Sequence, residues 1–259
     1  MREQRRRTRM SRLTLDPGER GQRAQQVGAT GLRRAATWLA IGGGLDWAGS
    51  RWAGGGLQLK CIDIKLVAEL CHLKGTLVCI DSTLASSINQ KPLTLGADIV
   101  VHSATKYIAG HHNAIAGCIG GSQELIKTIR AWHQDLCGAI SPDAAYMIIR
   151  GLKTMTLRVE TQNRTSLRMA RLLENHPKIE HVYYPGLKSS PWHHIAESQM
   201  TGFGGCESLV QQPAVMSFWY VTDEEKAKNG MKDNLVRFSF GIEKFEDLRD
   251  DILQALEKM

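Results

Sequence analysis

Two segments of this sequence end in groups that could hold a small molecule at two points. One reads Leu77-Val78-Cys79-Ile80-Asp81-Ser82-Thr83, the other Ile99-Val100-Val101-His102-Ser103-Ala104-Thr105-Lys106-Tyr107. Both begin as short apolar runs of the kind found in strands covered on both faces. In open α/β sheets ligands sit at the carboxyl ends of strands, and Asp81 and Lys106 fall just there, 25 residues apart. A carboxylate and a primary amine at neighbouring strand ends suit a cofactor gripped at both. Ser103 and Thr105 flank the lysine with hydroxyl donors suited to a phosphate. Spacing alone leaves a second reading open: a surface acid ending one strand and a solvated lysine in the next loop.

The elements that must position these groups follow an alternating pattern. Leu66, Val67, Leu70, Cys71 and Leu73 form a helical stripe closed by Gly75. Strands are expected at 76–80, 99–101 and 114–119. Ser122 caps a helix with Glu124 in its first turn. Ser141-Pro142-Asp143 is a helix start with proline at the first helical position. That helix is expected to break near Gly151 and Thr154 and to run to Asn175-His176-Pro177. Residues 179–184 and 235–240 read as further strands. Phe245, Leu248, Ile252, Leu253 and Leu256 share one face of a terminal helix. The order is that of an α/β protein.

The wording of the two segments narrows the choice. Val101-His102-Ser103-Ala104-Thr105-Lys106-Tyr107, with Cys79-Ile80-Asp81-Ser82-Thr83 ahead of it, resembles the pyridoxal-phosphate-dependent transsulfuration enzymes, and within them the plant cystathionine γ-synthase branch. Leu95-Gly96-Ala97-Asp98, Ala145 to Gly151, His181 to Gly186, Gly204 to Leu209 and Lys232 to Gly241 match as well. The resemblance covers about residues 58–259. It implies an α/β fold with a partial aspartate-aminotransferase-like large domain over 58–160. A smaller α/β C-terminal domain follows over 161–259.

The resemblance also assigns roles. Lys106 would form the Schiff base with the aldehyde of pyridoxal 5'-phosphate and then shuttle protons. Asp81 would pair with the pyridine nitrogen and keep it protonated. Ser103 and Thr105 would bind the phosphate. Arg237 would clamp the substrate carboxylate through a bidentate pair, against the plainer reading of a strand-end ion pair. Ser208 falls in the substrate-side loop, and Glu207 beside it has two readings, a reader of the amino acid and a solvated acid. The implied reaction is a γ-replacement: an activated homoserine ester loses its γ-leaving group and cysteine sulfur adds, giving cystathionine for methionine synthesis. Relatives with the same residues eliminate instead. A homo-oligomer and a chloroplast location are implied too, although the N-terminus makes a poor transit peptide; otherwise the chain would be cytoplasmic.

Departures from the family pattern are equally legible. A glycine-bearing phosphate loop, a ring-stacking tyrosine, and a tyrosine and arginine lent to the neighbouring subunit are expected before residue 57 and are not found there. Thr201-Gly202-Phe203-Gly204-Gly205 runs straight into Cys206-Glu207-Ser208, where the family has a strand–helix–strand stretch of about 30 residues. Asn113 stands for an aspartate, Leu84 for a phenylalanine and Cys137 for a glycine. An impaired enzyme is therefore expected, with an inactive fragment or an interaction subunit as the alternative.

Composition sets the outer limits. Of 259 residues, the first 56 hold 11 Arg, no Lys and four acidic residues, which is the whole of the formal charge of +7. The other 203 balance at 22 basic and 22 acidic residues. That distribution excludes a globally basic nucleic-acid surface and leaves only an Arg-rich arm as a nucleic-acid reading. Residues 1–57 read as a Gly- and Arg-rich extension without order. Six cysteines without a CxxC pair read as reduced thiols. His111-His112 and His193-His194 lack the spacing of a metal site. No apolar run is long enough to span a bilayer.

Overall fold

Parallel strand pairing organises the first sheet. The computed structural model describes residues 37–40, 60–136, 138–203, 208–216, 220–228 and 231–259. The remainder of the Arg-rich segment, Cys137, Glu207 with 204–206, and Trp219 lie outside the described residues. In chain order the elements are β1 (Thr37–Ala40), α1 (Ile64–His72), β2 (Val78–Asp81), α2 (Ser86–Asn89), a 3₁₀ turn (Pro92–Leu95), β3 (Ile99–Ser103) and β4 (Gly117–Gly121). Then come α3 (Gln123–Leu136), α4 (Pro142–Leu152), α5 (Met155–Glu174), α6 (His193–Gln199), β5 (Leu209–Gln211), α7 (Pro213–Met216), α8 (Asp223–Lys228), β6 (Arg237–Ser239) and α9 (Phe245–Glu257). The larger sheet has the order β1-β2-β3-β4, with the first three parallel and β4 antiparallel to β3. β5 and β6 form a separate antiparallel pair. Four residues inside the segment expected to lack order thus form β1, opposite β2. Threonine and tryptophan at Thr37 and Trp38 suit a strand.

Capping chemistry fixes where the helices begin. The Asp63 carboxylate accepts from Leu66 N at 3.0 Å, Ser122 Oγ from Leu125 N at 3.3 Å and Ser141 Oγ from Ala144 N at 3.1 Å. Each satisfies an N–H that a helix's first turn leaves without a partner. The face of α1 differs from the expected stripe. Ile64 and Ala68 are buried, and Val67 and Cys71 pack beside them on Val78, Ile80 and Ala97. Leu66, Leu70 and Leu73 face outward, Leu73 at 84% exposure. Two apolar rows run along this helix, and the row containing Ile64 is the one that meets the sheet.

The apolar run 114–119 gives β4, but it starts three residues later and ends two later than expected, and it is uncovered. Ile115 is 90% exposed, and Ile119 and Cys118 are exposed too. β4 ends the sheet, and its Gly-Cys-Ile-Gly-Gly sequence offers few side chains to bury. Residues 179–184 form no strand. No neighbouring strand pairs with them among the described residues. Ile179 and Val182 instead pack on the cluster of Met169, Leu173, Phe240, Phe245 and Leu256.

One helix serves two cores. At its start, Met155 and Val159 of α5 pack with Tyr107. At its end, Met169 and Leu173 pack with β6 and α9. Residue 160, the expected domain boundary, therefore lies within a continuous helix. α4 and α5 are separate helices, as expected from Gly151 and Thr154. Gly151 packs so tightly on Ala109 that a Cβ there would overlap the carbonyl oxygens of Ala109 and Ile108.

Alanine normally stabilises a helix relative to glycine by about 1 kcal/mol. Gly151→Ala should do the opposite, lowering the unfolding free energy by about 1–3 kcal/mol through overpacking against backbone. Urea denaturation checks this. Gly117→Ala, where nothing lies within 4 Å of the added carbon, is the control.

Candidate active site at the carboxyl ends of β2 and β3

Register places the acidic and basic segments together. Asp81, the last residue of β2, lies opposite Val101 of β3. The Ser82 amide extends the ladder by donating to Val101 O at 2.9 Å. Because the strands are parallel, the turn carrying Ser103, Thr105 and Lys106 leaves the sheet at the same end as Asp81. The Asp81 carboxylate accepts from Thr83 N at 2.9 Å, an Asx-type turn. Thr83 Oγ1 in turn accepts from Ser103 N at 2.7 Å. Thr83 therefore ties the acid's turn to the lysine's turn. The sequence reading quoted it in the motif without a role, and only the neighbouring strand reveals one.

The lysine turn is built from close backbone bonds. Lys106 N donates to Ser103 O at 3.1 Å, Ala109 N to Ala104 O at 2.7 Å and Gly110 N to Lys106 O at 2.7 Å. Gly110 closes the turn at φ +69°, a conformation that favours glycine. Lys106 is exposed, and its ammonium group makes no ion pair or hydrogen bond among the described residues. The Ser103 hydroxyl likewise has no partner among them. The Thr105 hydroxyl is already engaged: it accepts from Ala116 N at 3.1 Å and lies 3.4 Å from Ala116 O. Behind the turn, Arg158 of α5 is buried and donates to Tyr107 O at 2.9 Å. No sequence signal had singled it out.

Neighbouring titratable groups are held neutral by burial. Burial pushes the Cys79 thiol up to about 12, with the Asp81 charge adding to the effect. Burial pushes the Cys61 thiol up to about 11. His102, buried in β3, is lowered by desolvation against the opposing pull of Asp81 and a backbone bond at Ser82. Cys61, Cys71, Cys79 and Cys118 form no disulfide among the described residues.

The C-terminal candidates lie on the other sheet. Arg237 opens β6 opposite Gln211, half-buried, with no ion pair or hydrogen bond among the described residues. Ser208 closes the same pair at its far end: its hydroxyl donates to the Glu243 carboxylate at 2.8 Å and accepts from Gly241 N at 2.9 Å. Three residues of strand, about 10 Å, separate Ser208 from the position opposite Arg237. Glu207 lies outside the described residues. Among the described residues there is no cluster of His, Cys, Asp or Glu able to hold a metal, and no helix is long and apolar enough to cross a membrane. Two surface clefts lie away from Asp81 and Lys106, one lined by Asn89, Lys91 and Glu197 and the other by Lys65, His72 and Gly96.

An acid and an amine at adjacent carboxyl ends of parallel strands match a known group of proteins. The model of the Cys/Met metabolism PLP-dependent enzymes matches residues 54–205 and 201–257. The chain belongs to this family. It is 53% identical over 232 residues to cystathionine gamma-synthase 1, chloroplastic, of Nicotiana tabacum, covering 78% of this chain and 43% of that protein. It is 40% identical over 236 residues to L-methionine gamma-lyase of Fusobacterium nucleatum subsp. polymorphum, covering 78% of this chain and 60% of that one. The crystal structure of cystathionine gamma synthase from Xanthomonas oryzae pv. oryzae in complex with aminoacrylate and cysteine superposes with a TM-score of 0.75 at 33% identity. That match covers 77% of this chain and 60% of the other. The chain thus spans roughly two fifths to three fifths of the length of these relatives. The likeness bears out the aspartate-aminotransferase-like α/β fold and pyridoxal phosphate as the family's cofactor. The residues present fit that cofactor in part: a carboxylate for the ring nitrogen, an amine for the aldehyde, and one uncommitted hydroxyl, that of Ser103, for the phosphate.

Thiol reactivity follows from these environments. A disulfide reagent at pH 8 should label exposed Cys118 in the folded chain, and Cys61 and Cys79 only after denaturation. Stability should depend on pH with a definite sign. Above the ordinary thiol value of 9.0 the unfolded chain sheds protons that folded Cys61 and Cys79 retain up to about 11 and about 12. The folded state then holds more protons, so unfolding free energy falls as pH rises through this window. Denaturant titrations from pH 8 to 11 measure it.

Proposed function

We propose that the protein is a cystathionine γ-synthase-type enzyme, replacing the γ-leaving group of an activated homoserine ester with the sulfur of cysteine. The observation that carries this reading is the shared strand end of Asp81 and the Ser103–Lys106 turn. Its supports are that register and the higher identity to the chloroplastic γ-synthase than to the γ-lyase. Pyridoxal phosphate, when bound, supplies an electron sink for the carbon that loses its proton. Asp81 would pair with the pyridine nitrogen and keep it protonated. Lys106 would provide the amine for the aldehyde and would take and return protons at the substrate carbons. Ser103 donates to the phosphate, with Thr105 shaping the turn beside it. Arg237 clamps the substrate carboxylate. Ser208 orders the substrate-side loop, and the role of Glu207 there rests on the sequence resemblance alone.

In this reading residues 58–160 are part of a cofactor-binding domain and 161–259 a C-terminal domain, with α5 passing from one to the other. The family model matches in two stretches that share residues 201–205, which supports an internal shortening there. The substrates are small amino acids, the working form is a homo-oligomer, and the location is the plastid named for the tobacco relative. A second reading, an inactive fragment or subunit that joins longer relatives, is favoured by one observation. Among the described residues β4 leaves a sheet edge open, with Ile115 and Ile119 exposed beside it. Uncovered apolar edges of this kind invite pairing with another chain.

Adding pyridoxal phosphate to the purified chain should give the visible absorption of an imine, and borohydride should fix it to Lys106 by peptide mass. Lys106→Ala should abolish the band, and a mass shift on another lysine would remove Lys106 from the site. Supplying a homoserine phosphate ester with cysteine should yield cystathionine. Release of ammonia and a keto acid would point to elimination instead, and binding without turnover to the inactive reading.

A further inference from the structure

We propose that Arg158 is the positioning residue for Lys106, clamping the turn that presents the amine against the junction of α4 and α5. The proposal rests on the reading of Lys106 given above. Arg158 lies at the start of α5 and is only 7% exposed. One guanidinium nitrogen, Nη2, donates both to Tyr107 O at 2.9 Å and to Gly151 O at 3.0 Å. Nε donates to Thr154 Oγ1 at 3.2 Å. A single planar group thus joins the residue after Lys106 to the last turn of α4 and the cap of α5.

Glycines on both sides record how close this contact is. A Cβ on Gly110, which closes the lysine turn, would overlap the Arg158 guanidinium. A Cβ on Gly151 would overlap the backbone at Ala109. The helix junction and the lysine turn therefore meet backbone to backbone at Gly151, with the Arg158 guanidinium against Gly110 and the Met155–Tyr107 contact beside it.

Burying a guanidinium is costly unless its donors are satisfied. Here the acceptors are main-chain carbonyls on two separate segments, so the bonds fix backbone against backbone. Lysine at this position has one nitrogen for these carbonyls and none to replace the Nε bond to Thr154, and it lacks the planar group that fixes the three bonds relative to one another. The Lys106 ammonium has no partner of its own among the described residues. The turn alone decides where the amine stands relative to Asp81. Bond formation between an amine and a bound aldehyde is sensitive to such placement.

The test uses the full chain with pyridoxal phosphate as probe, in wild type, Arg158→Met, Arg158→Lys, Thr154→Val and Leu253→Ala. Leu253 packs in the α9 cluster, away from the turn, so Leu253→Ala reports loss of stability alone. Arg158→Met should weaken cofactor capture about tenfold or more and move the pH midpoint of the visible band by about one unit. Arg158→Lys should restore neither fully, and Thr154→Val should shift both in the same direction by less. Leu253→Ala should lower the melting temperature and leave the midpoint in place. If Arg158→Met matches Leu253→Ala in capture and midpoint, the positioning role is overturned and Arg158 is structural only. If Arg158→Met does not fold, unchanged midpoints in Arg158→Lys and Thr154→Val overturn it equally. A wild-type chain that captures the probe at a lysine other than Lys106 overturns the underlying reading of the site, and the positioning role with it.

Discussion

Parallel pairing of β2 with β3 is the constraint on which this molecule is built. Antiparallel strands would send Asp81 and Lys106 to opposite ends of the sheet. Parallel strands force both carboxyl ends to one edge, and the register Asp81 to Val101 sets how far each chain runs past it. Everything functional hangs on what happens in the next few residues. Asp81 folds back on Thr83, Thr83 holds the Ser103 amide, and the lysine turn starts from that fixed point. A chain of two hydrogen bonds thus couples the acid to the origin of the turn that carries the base.

Helix α5 supplies the second constraint. A parallel strand pair needs a crossover and a covered face, and α1 covers one part of this sheet through Ile64, Val67 and Cys71. The lysine turn is covered instead by α5, whose first turns meet Tyr107 and whose last turns enter the core under β6 and α9. Two ends of one rigid rod therefore touch the lysine turn and the β5–β6 strand pair. Buried polar groups line the rod between them. Asn163 exchanges hydrogen bonds with Asn89 at 3.0 and 2.9 Å, which ties α5 to α2 just beyond Asp81. Amide pairs of this kind specify one packing arrangement, since any slip leaves buried donors without acceptors.

Local chemistry was readable in the sequence wherever it was local in space. Asp63, Ser122 and Ser141 cap the helices that their positions announce, and the break between α4 and α5 falls at Gly151 to Thr154 as the residues imply. Asp81 and the Ser103–Lys106 turn were legible because strand ends are marked by a change from apolar to polar residues. What depended on a partner was not. α1 offers two apolar rows, and only the sheet decides that Ile64 rather than Leu66 is buried. Residues 179–184 have strand-like composition, yet no strand lies beside them to complete a ladder. Arg158 reads as one basic residue among several on a helix, because the acceptor that ties it to the lysine turn, Tyr107 O, lies some fifty residues earlier in the chain. Thr83 is a similar case, its role set by an amide on the next strand.

The molecule is thinnest where the second sheet is smallest. Two strands of three residues each are marginal as an independent sheet. Phe238 and Phe240 stack with ring centroids 5.8 Å apart and pass one face of β6 to the α9 cluster. Ser208 pins the end of β5 through Glu243 and Gly241. Lys178 donates to Leu256 O at 2.7 Å, satisfying a carbonyl at the end of α9. Arg237 stands at the opposite end of this pair, where no described side chain holds it. The anchored end of the strand pair is thus the Ser208 end. The free end carries Arg237, and residues 201–205, where the two family matches overlap, precede Ser208 in the chain.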